Sequence, residues 1–91
     1  MRRVHFFVSG DVQGVCYRPH SVRKAKALGL KGFVKNLIDN RVEILVEGED
    51  KEVDEFLKFC KNNPGYSRVE EIEIKDEKNV KAFSFDNFEA K

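Results

Sequence analysis

One short stretch of the chain carries residues suited to binding an anion. Residues 9–19 read Ser-Gly-Asp-Val-Gln-Gly-Val-Cys-Tyr-Arg-Pro. Glycines such as Gly10 and Gly14 let the backbone turn so tightly that successive N–H groups point at one centre. The Arg18 guanidinium adds a fixed set of donors that suits phosphate or carboxylate. We therefore hypothesise an oxyanion site, most simply for phosphate. The alternative is an ordinary turn next to a surface arginine.

The segments on either side of this stretch predict a strand followed by a helix. Apolar residues alternate over positions 4–8, as in a strand, and a helical pattern runs from about residue 19 to residue 28. Val22, Ala25 and Leu28 would form the buried stripe of that helix. A helix that begins near Pro19 presents unpaired N–H groups and the positive end of its dipole to the glycine-containing loop.

The rest of the chain predicts four more strands and one more helix. Residues 32–37 and 41–47 predict strands joined by a tight turn at Asp39 and Asn40, since both residue types tolerate left-handed geometry. The clearest helix follows, with apolar residues spaced i, i+3, i+4 and i+7 at Val53, Phe56, Leu57 and Cys60. Residues 69–74 then predict a fourth strand, residues 75–80 a polar turn, and residues 82–88 a final short strand in which Phe83 and Phe85 share a face.

This order of elements predicts an α+β fold of the ferredoxin-like βαββαβ type over a single domain, residues 1–91. We expect an antiparallel sheet with both helices on one face and a short extra C-terminal strand. Strands one and two would run parallel with strand three between them, so their carboxyl ends would emerge at one edge of the sheet. The loop before Arg18 and the strand-end residue Asn36 would therefore meet there. Asn36 has both donors and an acceptor with which to hold a water molecule, although a turn-stabilising role is the simpler alternative.

Composition narrows the function classes. The 91 residues include 36% charged side chains, yet the formal net charge is only +1, which argues against a nucleic-acid binder. No apolar run approaches the roughly 20 residues that cross a bilayer, and the N-terminus leads straight into a strand pattern rather than a signal peptide. Cys16 and Cys60 have no metal-ligand spacing. We therefore expect a cytoplasmic monomer with free thiols, no metal, no cofactor, no nucleic-acid partner and no membrane partner.

The motifs resemble those of the acylphosphatase family across essentially the whole chain. The resemblance rests on Gly-Asp-Val-Gln-Gly-Val-Cys-Tyr-Arg at residues 10–18, Leu-Gly-Leu at 28–30, Val-Lys-Asn at 34–36 and Arg-Val-Glu at 41–43. It implies hydrolysis of the carboxyl–phosphate anhydride of an acyl phosphate, without metal or cofactor. The expected partners are the acyl phosphate substrate and inorganic phosphate.

The resemblance also implies a role for each matching residue. Arg18 and Asn36 would be the catalytic side chains, with Arg18 binding the phosphoryl oxygens and Asn36 orienting the attacking water. The phosphoryl group would also be bound by backbone N–H groups of the loop, those of Gln13, Gly14, Val15, Cys16, Tyr17 and Arg18. Positioning and charge stabilisation suffice for this reaction, because an acyl phosphate already has a good leaving group. We therefore expect no catalytic base.

Three residues depart from the family pattern. Tyr17 replaces the more usual phenylalanine, so its hydroxyl needs a partner or solvent, and Asn40 stands where glycine is usual. A proline directly after the arginine, as at Pro19, is more similar to the acylphosphatase-like domain of hydrogenase-maturation carbamoyltransferases. A non-catalytic module that binds phosphate or carbamoyl phosphate is therefore the alternative function.

Two other functions fit the sequence less well. A thiol phosphatase would need an arginine six residues after Cys16, but Val22 occupies that position. A ferredoxin-like RNA binder would need exposed aromatic side chains with basic neighbours on the central strands, for which Phe7 is the one candidate.

Overall fold

The strands and helices follow one another in the predicted order. The computed structural model describes residues 1–15, 17–62, 65 and 67–91. Over these residues the elements are β1 (Arg2–Asp11), α1 (Tyr17–Ala27), β2 (Lys31–Asn36), β3 (Val42–Gly48), α2 (Asp50–Lys61), β4 (Arg68–Asn79) and β5 (Phe88–Ala90). The boundaries of β2 and β3 lie within one residue of those predicted. Asn40 adopts the left-handed conformation expected of the turn between them, with φ 73°.

The strands form one sheet in the order β4-β1-β3-β2-β5. β3 is antiparallel to both β1 and β2, and β1 is antiparallel to β4. β1 and β2 are therefore parallel to each other on either side of β3, and both end at the same edge of the sheet, as predicted. β5 pairs with β2 in parallel. The first four strands therefore form the predicted antiparallel sheet, and the predicted extra C-terminal strand, β5, makes the five-stranded sheet mixed.

One face of the sheet and the inner faces of both helices form the core. The side chains of Val4, Phe6 and Val8 on β1 are buried, as are alternate residues of β3. On α2 the predicted apolar stripe is confirmed, since Val53, Phe56 and Cys60 are buried and Leu57 packs against them. Phe56 also meets the ring of Phe88 edge-on, with ring centroids 5.7 Å apart, which ties α2 to β5.

Helix α1 begins two residues earlier than predicted and packs through different residues. It begins at Tyr17, and its buried residues are Tyr17, Ser21 and Ala25. The predicted residues Val22 and Leu28 are only partly buried at the margin of the core. The large Tyr17 ring fills the space between the two helices, so the residues one and two turns later face inward behind it.

In the C-terminal third the predicted short extra strand is present as β5, but one turn prediction and the bounds of that strand are wrong. Residues 75–80 are not a polar turn, because β4 continues to Asn79 and pairs with β1 as far as Arg2. Ladder hydrogen bonds to a long partner strand outweigh the polar composition of an exposed edge strand. Residues 82–87 are not a strand: the Ser84 N–H donates to the buried Glu47 carboxylate at 2.7 Å instead of to a ladder partner. Phe83 is largely exposed, while the Phe85 ring meets Phe33.

Candidate active site

A pocket lies where the β1–α1 loop meets the end of β2. It has a volume of about 270 Å³ and is lined by Val12, Gly14, Tyr17, Arg18, Pro19 and Asn36. The topology accounts for this meeting, because β1 and β2 are parallel and end at the same edge of the sheet. The structure therefore brings together the two side chains that the sequence predicted as catalytic, Arg18 and Asn36.

The loop backbone supplies N–H groups that are free to bind an anion. Gly14 adopts the left-handed conformation with φ 76°, which a side chain would strain. Within the part of the chain that the structure describes, no hydrogen bond engages the N–H group of Gly14 or Val15. Helix α1 follows directly and has no acidic residue in its first turn, so its first N–H groups and its dipole face the loop uncompensated. Cys16, predicted as part of the cradle, lies outside the described residues.

Asn36 contributes a buried acceptor without a partner. It is the last residue of β2, and its Oδ1 atom is buried and accepts no hydrogen bond from the described residues. A buried amide oxygen without a donor costs free energy, and a structure tolerates that cost chiefly where a ligand or water completes the bond. Asn36 lines the same pocket as Arg18. It can therefore accept a hydrogen bond from a water molecule next to a bound anion.

Arg18 is held at the pocket by Lys91, the residue that follows β5. Its Nη1 atom donates to the backbone oxygen of Lys91 at 3.0 Å. Lys91 is fixed in turn, because its N–H donates to the Val34 carbonyl at 2.8 Å on β2. The guanidinium is thereby oriented without the use of all its donors. Sequence reasoning did not foresee this contact, since nothing in the sequence links residues 18 and 91.

Gln13 also plays a part that sequence reasoning missed. We predicted only its backbone N–H as a ligand, but its side-chain amide donates to the carbonyl oxygens of Leu37 and Arg41, at 2.8 Å each. Both acceptors belong to the turn that follows β2. The amide side chain was the one available signal, because such a group is costly to leave unbonded when it is partly buried.

The Tyr17 hydroxyl points away from the chemistry. It donates to the Cys60 carbonyl oxygen at 3.1 Å, which is the partner that the sequence required of this residue. Burial raises the pKa of the Tyr17 hydroxyl far above its usual range, so it stays protonated. Burial likewise raises the pKa of the Cys60 thiol to about 12, partly opposed by its contact with Tyr17. Cys60 is thus an inert core residue, as predicted.

The two histidines lie outside this pocket. His5 is 2.7 Å from a carboxylate oxygen of Glu43 on the open face of the sheet, as expected for a structural residue. His20 lies on α1 beside Gly65 and does not line the pocket. Among the described residues, no three His, Cys, Asp or Glu side chains lie close enough together to hold a metal ion. No helix in those residues is long and apolar enough to span a membrane.

Known sequences match this chain over nearly its whole length. The acylphosphatase family profile matches residues 4–90. An acylphosphatase from Methylococcus capsulatus is 46% identical over 76 residues, which cover 84% of this chain and 83% of the relative. An acylphosphatase from Rubrobacter xylanophilus is 45% identical over 76 residues, covering 84% of this chain and 69% of the relative.

Solved structures agree with the sequence matches. The crystal structure of an acylphosphatase from Bacillus subtilis superposes with a TM-score of 0.91 at 33% identity, covering 99% of this chain and 98% of that one. Full-length HypF in its phosphate- and nucleotide-bound form gives a TM-score of 0.80 at 30% identity, but only 12% of the HypF chain is covered. Because the family profile spans residues 4–90 and the fold matches that of solved acylphosphatases, the chain belongs to the acylphosphatase family.

Proposed function

We propose that the pocket between the β1–α1 loop and the end of β2 is where this chain hydrolyses acyl phosphates. The chain is an acylphosphatase, a hydrolase that splits the carboxyl–phosphate bond into a carboxylate and inorganic phosphate. The observation that carries the placement is the buried, unpartnered Oδ1 atom of Asn36 beside Arg18 and the free loop N–H groups. One wall of the pocket offers donors to an anion, and Asn36 offers an acceptor to water.

The phosphoryl group would be bound by the loop and by Arg18. Backbone N–H groups of residues 13–18 and the Arg18 guanidinium donate to the non-bridging oxygens. They stabilise the negative charge that builds up as the phosphoryl group is transferred. Because the Arg18 guanidinium is held by its bond to Lys91 and the Tyr17 and Arg18 N–H groups belong to the first turn of α1, little reorganisation is needed in the transition state.

The attacking water would be oriented by Asn36. One water O–H donates to Asn36 Oδ1, which directs an oxygen lone pair at phosphorus. The new P–O bond forms as the bond from phosphorus to the acyl oxygen breaks, and the acyl carboxylate leaves with that electron pair. The water proton that remains passes to a phosphate oxygen or to solvent. A carboxylate is a stable leaving group at neutral pH, so the proposed reaction uses neither a general acid nor a metal ion.

The molecule is further proposed to act as a cytoplasmic monomer. Among the described residues, the exposed large apolar side chains are Ile38, Ile74 and Phe83, which lie on three different segments, and apolar side chains exposed singly are normal on a monomer. Cys60 is a free thiol in the core, which suits a reducing compartment. Gel filtration alone would contradict the monomer if it gave twice the chain mass of 10.6 kDa.

The alternative is a module that binds phosphate without turnover, as the similarity to a segment of HypF would allow. Water and inorganic phosphate can both donate to the Asn36 oxygen, since phosphate keeps at least one O–H at neutral pH. The enzyme is favoured because the chain covers 83% and 98% of two acylphosphatases but only 12% of HypF. RNA binding is disfavoured. Although Arg41 and Lys75 lie over the Phe7 ring, Glu43 and Glu73 stand opposite Phe7 on the neighbouring strands.

The test is hydrolysis of benzoyl phosphate, with chelator present, by the parent protein and three variants. Arg18→Ala should lower kcat/KM by at least about 10²-fold and weaken inhibition by phosphate, since a fixed charged donor is lost. Asn36→Ala should lower kcat by about 10²-fold but leave phosphate inhibition nearly unchanged. Arg23→Ala, which removes an exposed arginine from the same helix, is the control and should match the parent. An Asn36→Ala variant with the parent kcat would contradict the role of Asn36.

A further inference from the structure

The side chain of Gln13 links two halves of the pocket that the sheet does not connect directly. Its amide nitrogen has two hydrogens, and both are used, one toward the Leu37 carbonyl and one toward the Arg41 carbonyl, at 2.8 Å each. The side chain is partly buried, so these bonds compete with little solvent. The donor capacity of the amide is therefore fully satisfied by one short segment.

That segment directly follows Asn36 in the chain. Leu37 is the next residue along the chain, and its N–H donates to the Arg41 carbonyl at 2.8 Å, which closes the turn between β2 and β3. The Arg41 carbonyl thus accepts two hydrogen bonds, one from within the turn and one from Gln13. Any shift of the phosphate-binding loop relative to this turn must break or stretch the bonds from Gln13.

Nothing in the sheet ladder can replace this link. β1, which leads into the loop, and β2, which ends at Asn36, are not hydrogen-bonded to each other because β3 lies between them. Two strand spacings, roughly 9–10 Å, separate them. The free N–H of Gly14 and the Asn36 amide are thus held on separate elements, and Gln13, next to Gly14 in the chain, contacts the residue next to Asn36.

We propose that Gln13 is a positioning residue that sets the place of the Asn36-bound water relative to the bound phosphoryl group. This inference rests on the proposed function, because it needs both the phosphate cradle and the water-orienting role of Asn36. Gln13 touches neither substrate nor water with its side chain. It acts through Leu37 and the backbone turn, so it affects the alignment of attack rather than the binding of phosphate.

The expected signature is a loss of kcat without a loss of phosphate affinity. A displacement of about 1 Å between reacting groups can cost up to about 10²-fold in rate. Gln13→Met keeps the length of the side chain and removes both donors. We expect its kcat for benzoyl phosphate to fall by about tenfold or more, while the inhibition constant of inorganic phosphate changes by less than about twofold.

A double-variant cycle separates positioning from general damage to the fold. If Gln13 acts through Asn36, adding Gln13→Met to Asn36→Ala should lower kcat no further, since no oriented water remains to be misplaced. The matched control is Asp39→Ala. It removes two bonds of the same turn, those that the Arg41 N–H and the Arg41 Nε donate to the Asp39 carboxylate at 3.1 and 2.8 Å. It should keep kcat within about twofold of the parent. If Gln13→Met does not fold, Gln13→Asn, whose amide is one methylene too short to reach both carbonyls, takes its place.

The outcomes distinguish this inference from the function on which it rests. A slow Asn36→Ala variant together with an unchanged kcat in Gln13→Met overturns the role of Gln13 alone. Equal fold-losses from Gln13→Met in the parent and in the Asn36→Ala background also overturn it, because the two residues then act independently. An Asn36→Ala variant with the parent kcat overturns the water-orienting role, and this inference with it. A selective loss of kcat that vanishes in the Asn36→Ala background supports the inference.

Discussion

The two strand-to-helix junctions of this fold are built on opposite principles. Between β1 and α1 the chain makes a loop with Gly14 in a left-handed conformation, and the first turn of α1 has no acidic side chain. Between β3 and α2 only Glu49 intervenes, and Asp50 and Glu52 occupy the first turn of α2. The second helix thus neutralises its own positive dipole end, whereas the first leaves that end open.

The two helices also differ in the size of the side chains that they bury. α2 buries Val53, Phe56 and Cys60 in one apolar stripe, while α1 buries Tyr17 together with the small residues Ser21 and Ala25. One helix is thus held chiefly by apolar area and the other by close approach and a few specific contacts. A helix start can serve as an anion site where the chain withholds its own carboxylates, and stability must then come from elsewhere in the fold.

The largest effect that this comparison predicts is on stability. Phe56→Ala removes a buried ring that also contacts Phe88, so we expect the free energy of unfolding to fall by about 3–5 kcal/mol. Val22→Ala on α1 removes only a half-buried side chain and should cost about 1 kcal/mol. Urea unfolding of both variants measures the difference. Equal losses would mean that the two helices are held in the same way.

A carboxylate introduced at the start of α1 should weaken the binding of phosphate. Pro19 lines the pocket in the first turn of α1, so Pro19→Asp sets a negative charge beside the bound phosphate. We expect the inhibition constant of phosphate and the KM for benzoyl phosphate to rise by about tenfold at low salt, and by less at high salt. Pro19→Asn is the neutral control for the loss of the ring. If both variants bind phosphate equally well, the phosphate is not bound beside the start of α1.

The contact between the two helices predicts a dependence of stability on alkaline pH. Burial raises the pKa of the Cys60 thiol from its ordinary 9.0 to about 12, so above pH 9 the unfolded chain loses this proton first. Its contribution to stability is complete below pH 9 and declines as the pH rises toward 12. The slope of the free energy of unfolding against pH reports the number of protons released on unfolding. Across that pH range, Cys60→Ala should lower this number by about one. A slope equal to that of the parent would show that the thiol ionises equally easily in the folded protein.

The smallest expected effect lies at the compensated helix start. Glu52→Gln removes one carboxylate from the first turn of α2 with almost no change of shape. We expect a stability loss of about 0.3–1 kcal/mol and no change in kcat or KM, because this helix start faces no ligand. Chemical denaturation at low salt and the benzoyl phosphate assay measure the two effects. A kinetic effect from Glu52→Gln would undermine the division of roles between the two junctions.

Local patterns in the sequence predict most of the fold and the meeting of Arg18 and Asn36 in one pocket. The spacing of Val53, Phe56 and Cys60 identified α2 because the helix period and the buried face coincide. Gly10, Gly14 and Arg18 predicted an anion-binding loop, but an ordinary turn beside a surface arginine fitted them equally well, and the resemblance to acylphosphatases decided between the two. The order of elements then predicted that the loop would meet Asn36, since strand directions in this topology follow from the connections.

The features that sequence reasoning missed depend on residues far apart in the chain. β4 extends over residues 75–79 because β1 supplies a partner there, which the polar composition of those residues does not reveal. The bond from Arg18 to Lys91 spans 73 positions, and that from Gln13 to Leu37 spans 24. No propensity or periodicity reports such pairings, because they arise only once the sheet has set the distances.

The place of β1 in the sheet governs how the chain can assemble. β1 is the first strand made, yet both of its neighbours come later, with Arg2 opposite Gly48 in β3 and Asn79 in β4. Closing those long loops costs entropy before the pairings repay it, which slows folding. Until residue 79 has left the ribosome, the strand that bears Val4, Phe6 and Val8 has an unpaired edge and is prone to aggregate. A chain truncated before β4 should therefore depend on chaperones, although it contains both Arg18 and Asn36.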